Sequence, residues 1–255
     1  MAVPGADRGC STPGGDGAAR ARADARGGRL PAGRGVGCPG AAGAGGARAL
    51  DVSEHYFSAR PSSELTLLPV TVRAWGHQLQ LVSASGVFAA GRLDAGTAVL
   101  FRATEPPTGR GTLLDLGCGY GVIACTLAVS SPDATVWAVE VNERALQLVA
   151  DNGRRVGAAE RIRVAKPDDV PDELSFDQIW SNPPIRIGKA ALHALLRRWL
   201  PRLAPGGRAV MVVGRNLGAD SLQRWLVDEG WTCDRLASAK GFRVLEVRSA
   251  ADPAT

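Results

Sequence analysis

"TLLDLGCGYGVIACTLAVS", residues 112–130, joins a short apolar run to a longer one through a loop that contains three glycines. Its first five residues are typical of a buried strand, and the residues after the loop have the pattern of a helix that Pro132 ends. Gly117, Gly119 and Gly121 permit positive φ and let a ligand lie against bare backbone. The stretch therefore predicts a strand, a ligand-binding loop and a helix.

Strand-like and helix-like segments alternate from this stretch to the end of the chain. Predicted helices cover 120–130, 143–155, 192–200 and 219–229, and predicted strands cover 112–116, 134–140, 161–165, 176–180, 207–214, 231–236 and 242–247. Such alternation indicates an α/β fold with parallel strands, right-handed crossovers and helices on both faces of the sheet. Ligands in these sheets bind beyond the carboxyl ends of the strands.

The segments ahead of residue 111 differ from this pattern. The first fifty residues contain 14 Gly and 13 Ala and almost no large apolar side chain, so we predict that 1–50 is a disordered tail. Within 51–110, two β-rich runs separated by Trp75-Gly76 predict an N-terminal hairpin and a lead-in segment. The alternating part, 111–250, is the predicted catalytic domain.

Charge and cysteine content limit the function classes. The tail carries a net charge of +4, which leaves +1 of the overall +5 for residues 51–255, so the basic pI of 9.3 is weak evidence for a nucleic-acid-binding surface. No apolar window of about 18 residues predicts a membrane span. The five cysteines are odd in number and scattered, and no secretory signal is visible, so we expect a reduced, cytoplasmic protein without a metal site.

The spacing of the glycines and a following acid indicate the ligand class. Val122 stands where a dinucleotide fingerprint requires its third glycine, and no Lys followed by Ser or Thr is present to bind a triphosphate. Glu140 ends the second predicted strand, where one carboxylate can accept both ribose hydroxyl protons, although a favourable charge at a helix start is an alternative role. A ligand with adenosine but no pyrophosphate fits best.

Three motifs, in this order and spacing, resemble the class I S-adenosylmethionine-dependent methyltransferases: "LDLGCGYG" (114–121), "VEVN" (139–142) and "SNPP" (181–184). Four further stretches make the chain similar to the small-domain group of the RsmC type, which methylates guanine N2 in small-subunit ribosomal RNA: "HYFS" (55–58), "SGVF" (85–88), "LDAGT" (93–97) and "KGFRVLE" (240–246). The resemblance implies a Rossmann-like class I methyltransferase fold, in which a short N-terminal β-hairpin region precedes a seven-stranded, mostly parallel sheet with a reversed last hairpin.

The resemblance also implies that S-adenosyl-L-methionine is the cofactor. Asp115 and the glycine loop are then expected to face its methionine part, and Glu140 its ribose. Either Asp168 or Asp169, after the third strand, is expected to contact the adenine amino group, and "AKPDDV" (165–170) leaves both open. By the same resemblance, the segment with Arg92, Asp94 and Thr97 helps to close the cofactor pocket.

The corner formed by Asn182, Pro183 and Pro184 is the predicted catalytic site. An exocyclic amine is planar and a poor nucleophile; if the Asn182 oxygen and the Pro183 carbonyl each accept one amine hydrogen, the nitrogen is drawn toward a tetrahedral form and aimed at the methyl group. The prolines keep the corner rigid, and Asn182 borders the cofactor as well. The alternative is a plain helix N-terminal turn.

Residues around this corner are predicted to bind the acceptor. Ile185 occupies a position where many amine methyltransferases have an aromatic residue, and Phe88 either supplies the missing ring or packs in the core. Arg186 and Lys189, with Arg197 and Arg198 beyond them, either contact phosphates or form a solvated helix face.

The resulting hypothesis is a methyltransferase that acts on a guanine N2 of ribosomal RNA, with the small-subunit RNA or the small ribosomal subunit as its partner. Two alternatives stay open: a protein glutamine amide or a small metabolite as the acceptor, and a ribosome-associated protein that binds the cofactor without turnover.

Overall fold

The computed structural model describes residues 66–89 and 91–249, and it contains two sheets and five α-helices within those ranges. The predicted tail at 1–50 and the motif at 55–58 lie outside the described residues. In this part of the chain no helix is long and apolar enough to span a bilayer.

The observed elements follow the predicted ones closely, except that α1 was not predicted from the sequence. The helices are Ala95–Ala103 (α1), Val122–Ser130 (α2), Glu143–Arg155 (α3), Lys189–Trp199 (α4) and Ala219–Asp228 (α5). The strands are Leu67–Ala74 (β1), His77–Ala84 (β2), Gly111–Leu116 (β3), Ala134–Val139 (β4), Ile162–Ala165 (β5), Phe176–Ser181 (β6), Leu203–Gly214 (β7), Trp231–Ala239 (β8) and Phe242–Ser249 (β9).

Seven of these strands form one sheet in the order β5-β4-β3-β6-β7-β9-β8. Strands β3 to β7 are parallel, and β9 runs antiparallel to its neighbours β7 and β8. This confirms the predicted Rossmann-like fold with a reversed last hairpin. The chain order changes direction between the adjacent strands β3 and β6, so the carboxyl ends of these two strands mark the expected ligand crevice.

The two faces of the sheet have separate hydrophobic cores. On one face, α1, α2 and α3 pack together with the inward side chains of the β1–β2 hairpin, including Val70, Val72, Leu79 and Leu81. On the other face, α4 and α5 bury Leu196, Trp199, Leu222 and Leu226. The hairpin is thus part of the main core and covers α2 and α3.

A tight turn joins the two strands of this hairpin. Trp75 and Gly76 both have positive φ, at 46° and 79°, as the tight hairpin turns with a matching twist require. The strained Trp75 is held in place because its indole N–H donates to the carbonyls of Phe101 and Thr104, at 3.0 and 2.7 Å, and its ring packs edge-on against Phe101 and Trp180. The hairpin is therefore anchored to α1 and to β6.

A buried amide on α3 connects the hairpin to the glycine loop. Asn152 is fully buried; its oxygen accepts from the Val82 N–H at 2.8 Å, and its NH₂ group donates to the carbonyls of Val82 and Tyr120, at 2.8 and 2.9 Å. Tyr120 belongs to the glycine loop after β3. Sequence patterns alone did not indicate this residue.

Replacing Asn152 by leucine should lower the free energy of unfolding by about 3 kcal/mol, because one buried and two partly buried backbone groups lose their partners. Urea unfolding of both proteins would measure this. The matched control is Gln147→Leu, at an exposed position of the same helix, which should change stability by less than about 0.5 kcal/mol. Equal effects of the two substitutions would contradict the assigned role of the amide.

Candidate active site

The glycine loop lies at the carboxyl end of β3 and has the backbone conformation that only glycine adopts readily. Gly117, Gly119 and Gly121 have φ of 73°, 53° and 84°. A Cβ at Gly121 would come within 3.0 Å of Val149, so this glycine allows close packing on α3. A Cβ at Gly119 would meet nothing within 4 Å. The backbone at Gly119 therefore borders open space that a ligand can occupy.

Asp115 lies in β3, two residues ahead of the first glycine of this loop, and bonds to the helix that follows it. Its side chain is fully buried, and Oδ2 accepts a hydrogen bond from the Ala124 N–H of α2 at 2.8 Å. The other oxygen is buried without a partner in the described structure. Burial raises the pKa of this carboxyl to about 8. Below that pH the folded protein therefore holds Asp115 as a neutral carboxylic acid, and its predicted direct contact with the methionine part of the cofactor stays a prediction.

The ionisation of Asp115 predicts a pH dependence of stability. In the unfolded chain this carboxyl has its ordinary pKa near 3.8, whereas the folded protein keeps the proton until about pH 8. Between these values the folded state binds the proton more tightly, so its stability falls as pH rises. The Asp115→Asn variant lacks this loss, so its free energy of unfolding should rise relative to the native protein between pH 5 and pH 8. A difference that does not change with pH would contradict the raised pKa.

Glu140 follows β4 and reaches across to the glycine loop. Its Oε2 accepts from the Gly119 N–H at 3.1 Å, and its Oε1 accepts from the N–H groups of Val141 and Asn142, at 2.8 and 3.2 Å. A carboxylate has about four acceptor positions, so these three bonds leave room on Oε2. Binding both hydroxyls of a ribose would require Oε1 to give up one of its backbone partners.

The two candidate adenine contacts differ in their surroundings. Asp168 and Asp169 lie in a short 3₁₀ turn after β5, and both are exposed. Asp168 forms an ion pair with Arg198 at 2.8 Å. Asp169 has no ionic partner among the described residues and is the freer of the two to contact a ligand.

The corner after β6 holds Asn182 in one orientation. The Asn182 NH₂ group donates to Asp94 Oδ2 at 2.7 Å and to Thr97 Oγ1 at 3.1 Å. Because an ionised carboxylate only accepts hydrogen bonds, the NH₂ group has to face Asp94. The Asn182 oxygen then points the other way, and within the described residues it has no hydrogen-bond partner.

The two prolines shape the backbone that follows. Pro184 has φ −75° and ψ 70°, the centre of an inverse γ-turn, which the Ile185 N–H closes by donating to the Pro183 carbonyl at 2.8 Å. This carbonyl keeps a second lone pair for an acceptor. The next α-helix begins at Lys189 with Gly188 as its N-cap, so Asn182 does not cap a helix and the alternative of a plain N-terminal turn is wrong.

The corner and the glycine loop share one wall. A Cβ at Gly117 would lie 3.6 Å from the Cδ atom of Pro184. The hydroxyl of Ser181 donates to the carbonyl of Leu116 at 2.7 Å and joins the ends of β6 and β3. Both contacts lie at the carboxyl ends of β3 and β6, where the chain order of the sheet changes direction. Sequence patterns alone indicated no role for Ser181.

The predicted acceptor-binding residues differ in exposure. Phe88 is 46% exposed, so it is not a core residue, and Ile185 packs partly buried against the core of α4 and α5. Arg186 and Lys189 are exposed. Two other arginines of this group are engaged, since Arg197 pairs with Glu229 and Arg198 with Asp168.

Two further contacts tie the lead-in segment to the site. The hydroxyl of Tyr120, in the glycine loop, donates to the carbonyl of Arg92 at 3.2 Å. Asn142 caps α3 through Ala145 N and donates from its NH₂ group to the Gly86 carbonyl at 3.2 Å. Asn142 lies in the "VEVN" motif, but its link to the segment at 85–89 depends on the tertiary structure.

The chain is similar to a known protein family and to other bacterial proteins. The family model described as "Methyltransferase small domain" matches residues 78–246, which include the glycine loop, the acid after β4 and the Asn-Pro-Pro corner. The chain is 30% identical over 200 residues to protein YbxB of Bacillus subtilis (strain 168), a match that covers 77% of this chain and 99% of that protein.

Two relatives have names that state a substrate. The chain is 37% identical over 144 residues to the ribosomal RNA small subunit methyltransferase C of Hahella chejuensis, covering 54% of this chain and 41% of that protein. It is 33% identical over 178 residues to the ribosomal RNA large subunit methyltransferase G of Shewanella amazonensis, covering 67% and 45%. The chain thus spans less than half the length of these two relatives.

Among solved structures, a Thermus thermophilus protein shares the fold. This 16S ribosomal RNA N2 G1207 methyltransferase (RsmC), solved with AdoMet and guanosine, superimposes with a TM-score of 0.58 at 24% sequence identity. The match covers 74% of this chain and 52% of that one, and it supports the assignment of the sheet and helices.

Proposed function

The chain belongs to the methyltransferase small domain family of S-adenosylmethionine-dependent methyltransferases, and on this premise we propose that it methylates the exocyclic N2 amine of a guanine in ribosomal RNA. One observation supports an amine as the acceptor of the methyl group. Asp94 and Thr97 hold the NH₂ group of Asn182, so that its unpartnered oxygen is presented next to the glycine loop. Such an oxygen can accept a hydrogen bond from an amine.

The described residues fit the cofactor. The open space beside Gly119 accommodates a ligand against bare backbone, and the unpaired buried oxygen of Asp115 belongs to the strand that leads into this loop. Glu140 would hold the ribose and Asp169 the adenine amino group. When bound there, S-adenosylmethionine supplies an electrophilic methyl group.

The residues of the corner would prepare the acceptor. The Asn182 oxygen and the free lone pair of the Pro183 carbonyl each accept one amine hydrogen, which pulls the nitrogen out of the plane of the base and aims its lone pair. The nitrogen then forms its bond to the methyl carbon as the carbon–sulfur bond breaks, and the electron pair of that bond stays on sulfur. The methylated nitrogen loses its extra proton to water, so no general base is needed.

Phe88 and Ile185 are the proposed contacts for the base. The half-exposed ring of Phe88 lies in the segment that Asn142 ties down close to Glu140, where it is available for stacking. Ile185 can pack against a base face with less stacking energy than an aromatic ring. Arg186 and Lys189 are exposed beside this corner and available to the neighbouring phosphates.

The proposal takes the small-subunit RNA as substrate, in a reduced, cytoplasmic protein. The relative that matches with higher identity acts on the small subunit by its name, and the relative named for the large subunit is the competing choice. A glutamine amide of a protein presents the same NH₂ geometry to the corner and is the acceptor that the experiment must separate from RNA.

The test uses the full chain with cofactor labelled in its methyl group. Naked ribosomal RNA, small subunits, large subunits and total bacterial protein are incubated separately, and the labelled nucleotide or residue is identified by mass spectrometry. We expect N2-methylguanosine in the small-subunit RNA. Label in the large-subunit RNA would overturn the subunit assignment, and label in glutamine would overturn the choice of RNA.

A further inference from the structure

An open groove of about 550 Å³ lies between the hairpin and α1, and none of the proposed cofactor-binding residues lines it. It is lined by Thr71 and Arg73 of β1, by Leu93, and by Ala98 and Arg102 of α1. Thr71 and Arg73 are two residues apart on one strand and therefore project from the same face of the hairpin. No acidic side chain lines the groove, so its local charge is positive.

The two arginines are held with their charged ends free. Arg73 donates from Nε to the side-chain oxygen of Gln78 at 2.8 Å, and Arg102 donates from Nε to the Ala98 carbonyl at 2.9 Å. Both acceptors are neutral, and neither arginine forms an ion pair within the described structure. The terminal NH₂ groups of each guanidinium, which form the fork that binds phosphate, are thus available in an ordered position.

The groove and the catalytic corner share neighbouring residues in the chain. Leu93 and Ala98 directly flank Asp94 and Thr97, the two residues that hold Asn182. Arg102 lies eight residues beyond Asp94, about 12 Å along the axis of α1 at about 1.5 Å per residue. A stacked nucleic acid strand rises about 3.4 Å per nucleotide, so this span corresponds to three or four nucleotides.

The two arginines on α4 are in ion pairs. Arg197 and Arg198 are engaged with Glu229 and Asp168, whereas Arg73 and Arg102 keep their charge. The near-neutral net charge of residues 51–255 therefore conceals a local positive surface, which the hairpin and α1 create together.

We propose that the groove formed by Thr71, Arg73, Leu93, Ala98 and Arg102 binds the phosphodiester backbone of the substrate RNA, a few nucleotides from the base held at Asn182. This inference rests on the proposed function. It assigns to the N-terminal hairpin a role in holding the substrate strand, with one phosphate for each guanidinium.

The experiment measures RNA binding and methyl transfer separately. The variant Arg73→Gln/Arg102→Gln is compared with Arg155→Gln/Arg224→Gln, which removes two exposed arginines elsewhere on the surface. Each protein is titrated into fluorescein-labelled small-subunit ribosomal RNA at several salt concentrations. The groove variant should bind about ten-fold more weakly at 0.1 M salt, and the slope of log K against log salt should fall by about 1.4 for two single-strand phosphates. Its affinity for S-adenosylmethionine should stay unchanged, and its KM for RNA should rise more than its kcat falls.

Three results would overturn the assignment. Equal losses in the groove variant and the control variant would show a general charge effect. An unchanged salt slope in the groove variant would show that the arginines contact no phosphate. Failure of the native protein to bind the RNA at any salt concentration would show that this RNA is not its ligand. The native protein could methylate RNA while the groove variant has the same KM for RNA and the same salt slope. That result would contradict RNA binding by the groove and leave the proposed function intact.

Discussion

Replacing Asn182 by alanine is expected to lower kcat by about 10²- to 10³-fold, the size of effect seen when one aimed hydrogen-bonding group is removed from a catalytic site. The Asn182 oxygen is the proposed acceptor of an amine hydrogen, and alanine has none. The affinity for S-adenosylmethionine should stay within about three-fold, because the proposal assigns that ligand to the Gly119 backbone and Glu140. Steady-state kinetics with the methylated RNA and calorimetric titration with the cofactor would measure the two effects.

Asp94→Asn is the matched variant for this prediction. Asparagine at 94 can still cap α1 by accepting from the Thr97 N–H, now 3.0 Å from the aspartate oxygen. It no longer forces the Asn182 NH₂ group toward itself, because its own side chain also carries an NH₂ group. We expect a loss in kcat of about ten-fold, smaller than that of Asn182→Ala, with an unchanged melting temperature. If Asn182→Ala instead loses cofactor affinity and activity together, the residue is structural.

Replacing Glu140 by alanine is expected to weaken cofactor binding by about 100-fold. The carboxylate accepts hydrogen bonds from three backbone N–H groups, and the proposal assigns its remaining acceptor position to a ribose hydroxyl. Hydrogen bonds to a charged group contribute about 1.5 to 3 kcal/mol each, and one or two such bonds to the ligand correspond to this range. Calorimetric titration of S-adenosylmethionine would measure the loss.

The control for Glu140→Ala is Glu160→Ala, an exposed acid ahead of β5 and therefore at the opposite edge of the sheet. This substitution should leave the affinity unchanged. At saturating cofactor, Glu140→Ala should recover most of its methyl transfer, because the corner at Asn182 is intact. Unchanged cofactor affinity in Glu140→Ala would contradict the assignment of this acid to the ribose.

The elements of the fold could be predicted from the sequence because their signals are local. Short apolar runs, proline stops and the apolar spacing of 192–200 placed the strands and every helix except α1 within a few residues of their observed ends. The hairpin turn at Trp75-Gly76 was also predicted, although the contacts of Trp75 with Phe101 and Trp180 were not, because they join three separate elements.

The site could be predicted only in part, because some of its contacts join elements that are far apart in the chain. Gly119, Glu140 and Asn182 were identified from motifs that follow strands, since parallel strands bring their carboxyl ends to one edge of a sheet. The buried amide of Asn152 and the hydroxyl of Ser181 join residues about 65 to 70 positions apart. No local pattern marks such a pairing, since each residue is of an ordinary type in its own element.

What the sequence by itself determined is the order of strands and helices from residue 111 onward, the glycine loop and the Asn-Pro-Pro corner, because backbone conformation and hydrophobic periodicity depend on near neighbours. The tertiary structure alone decided which way the Asn182 amide faces, since Asp94 is 88 residues away in the chain. It also decided where arginines without an ion-pair partner line a common groove, within the part of the chain that the structure describes. The guanidinium groups of Arg73 and Arg102 come together only when the hairpin packs against α1. Charge counts and motifs are summed along the chain, whereas an oriented acceptor and a groove depend on distances in space.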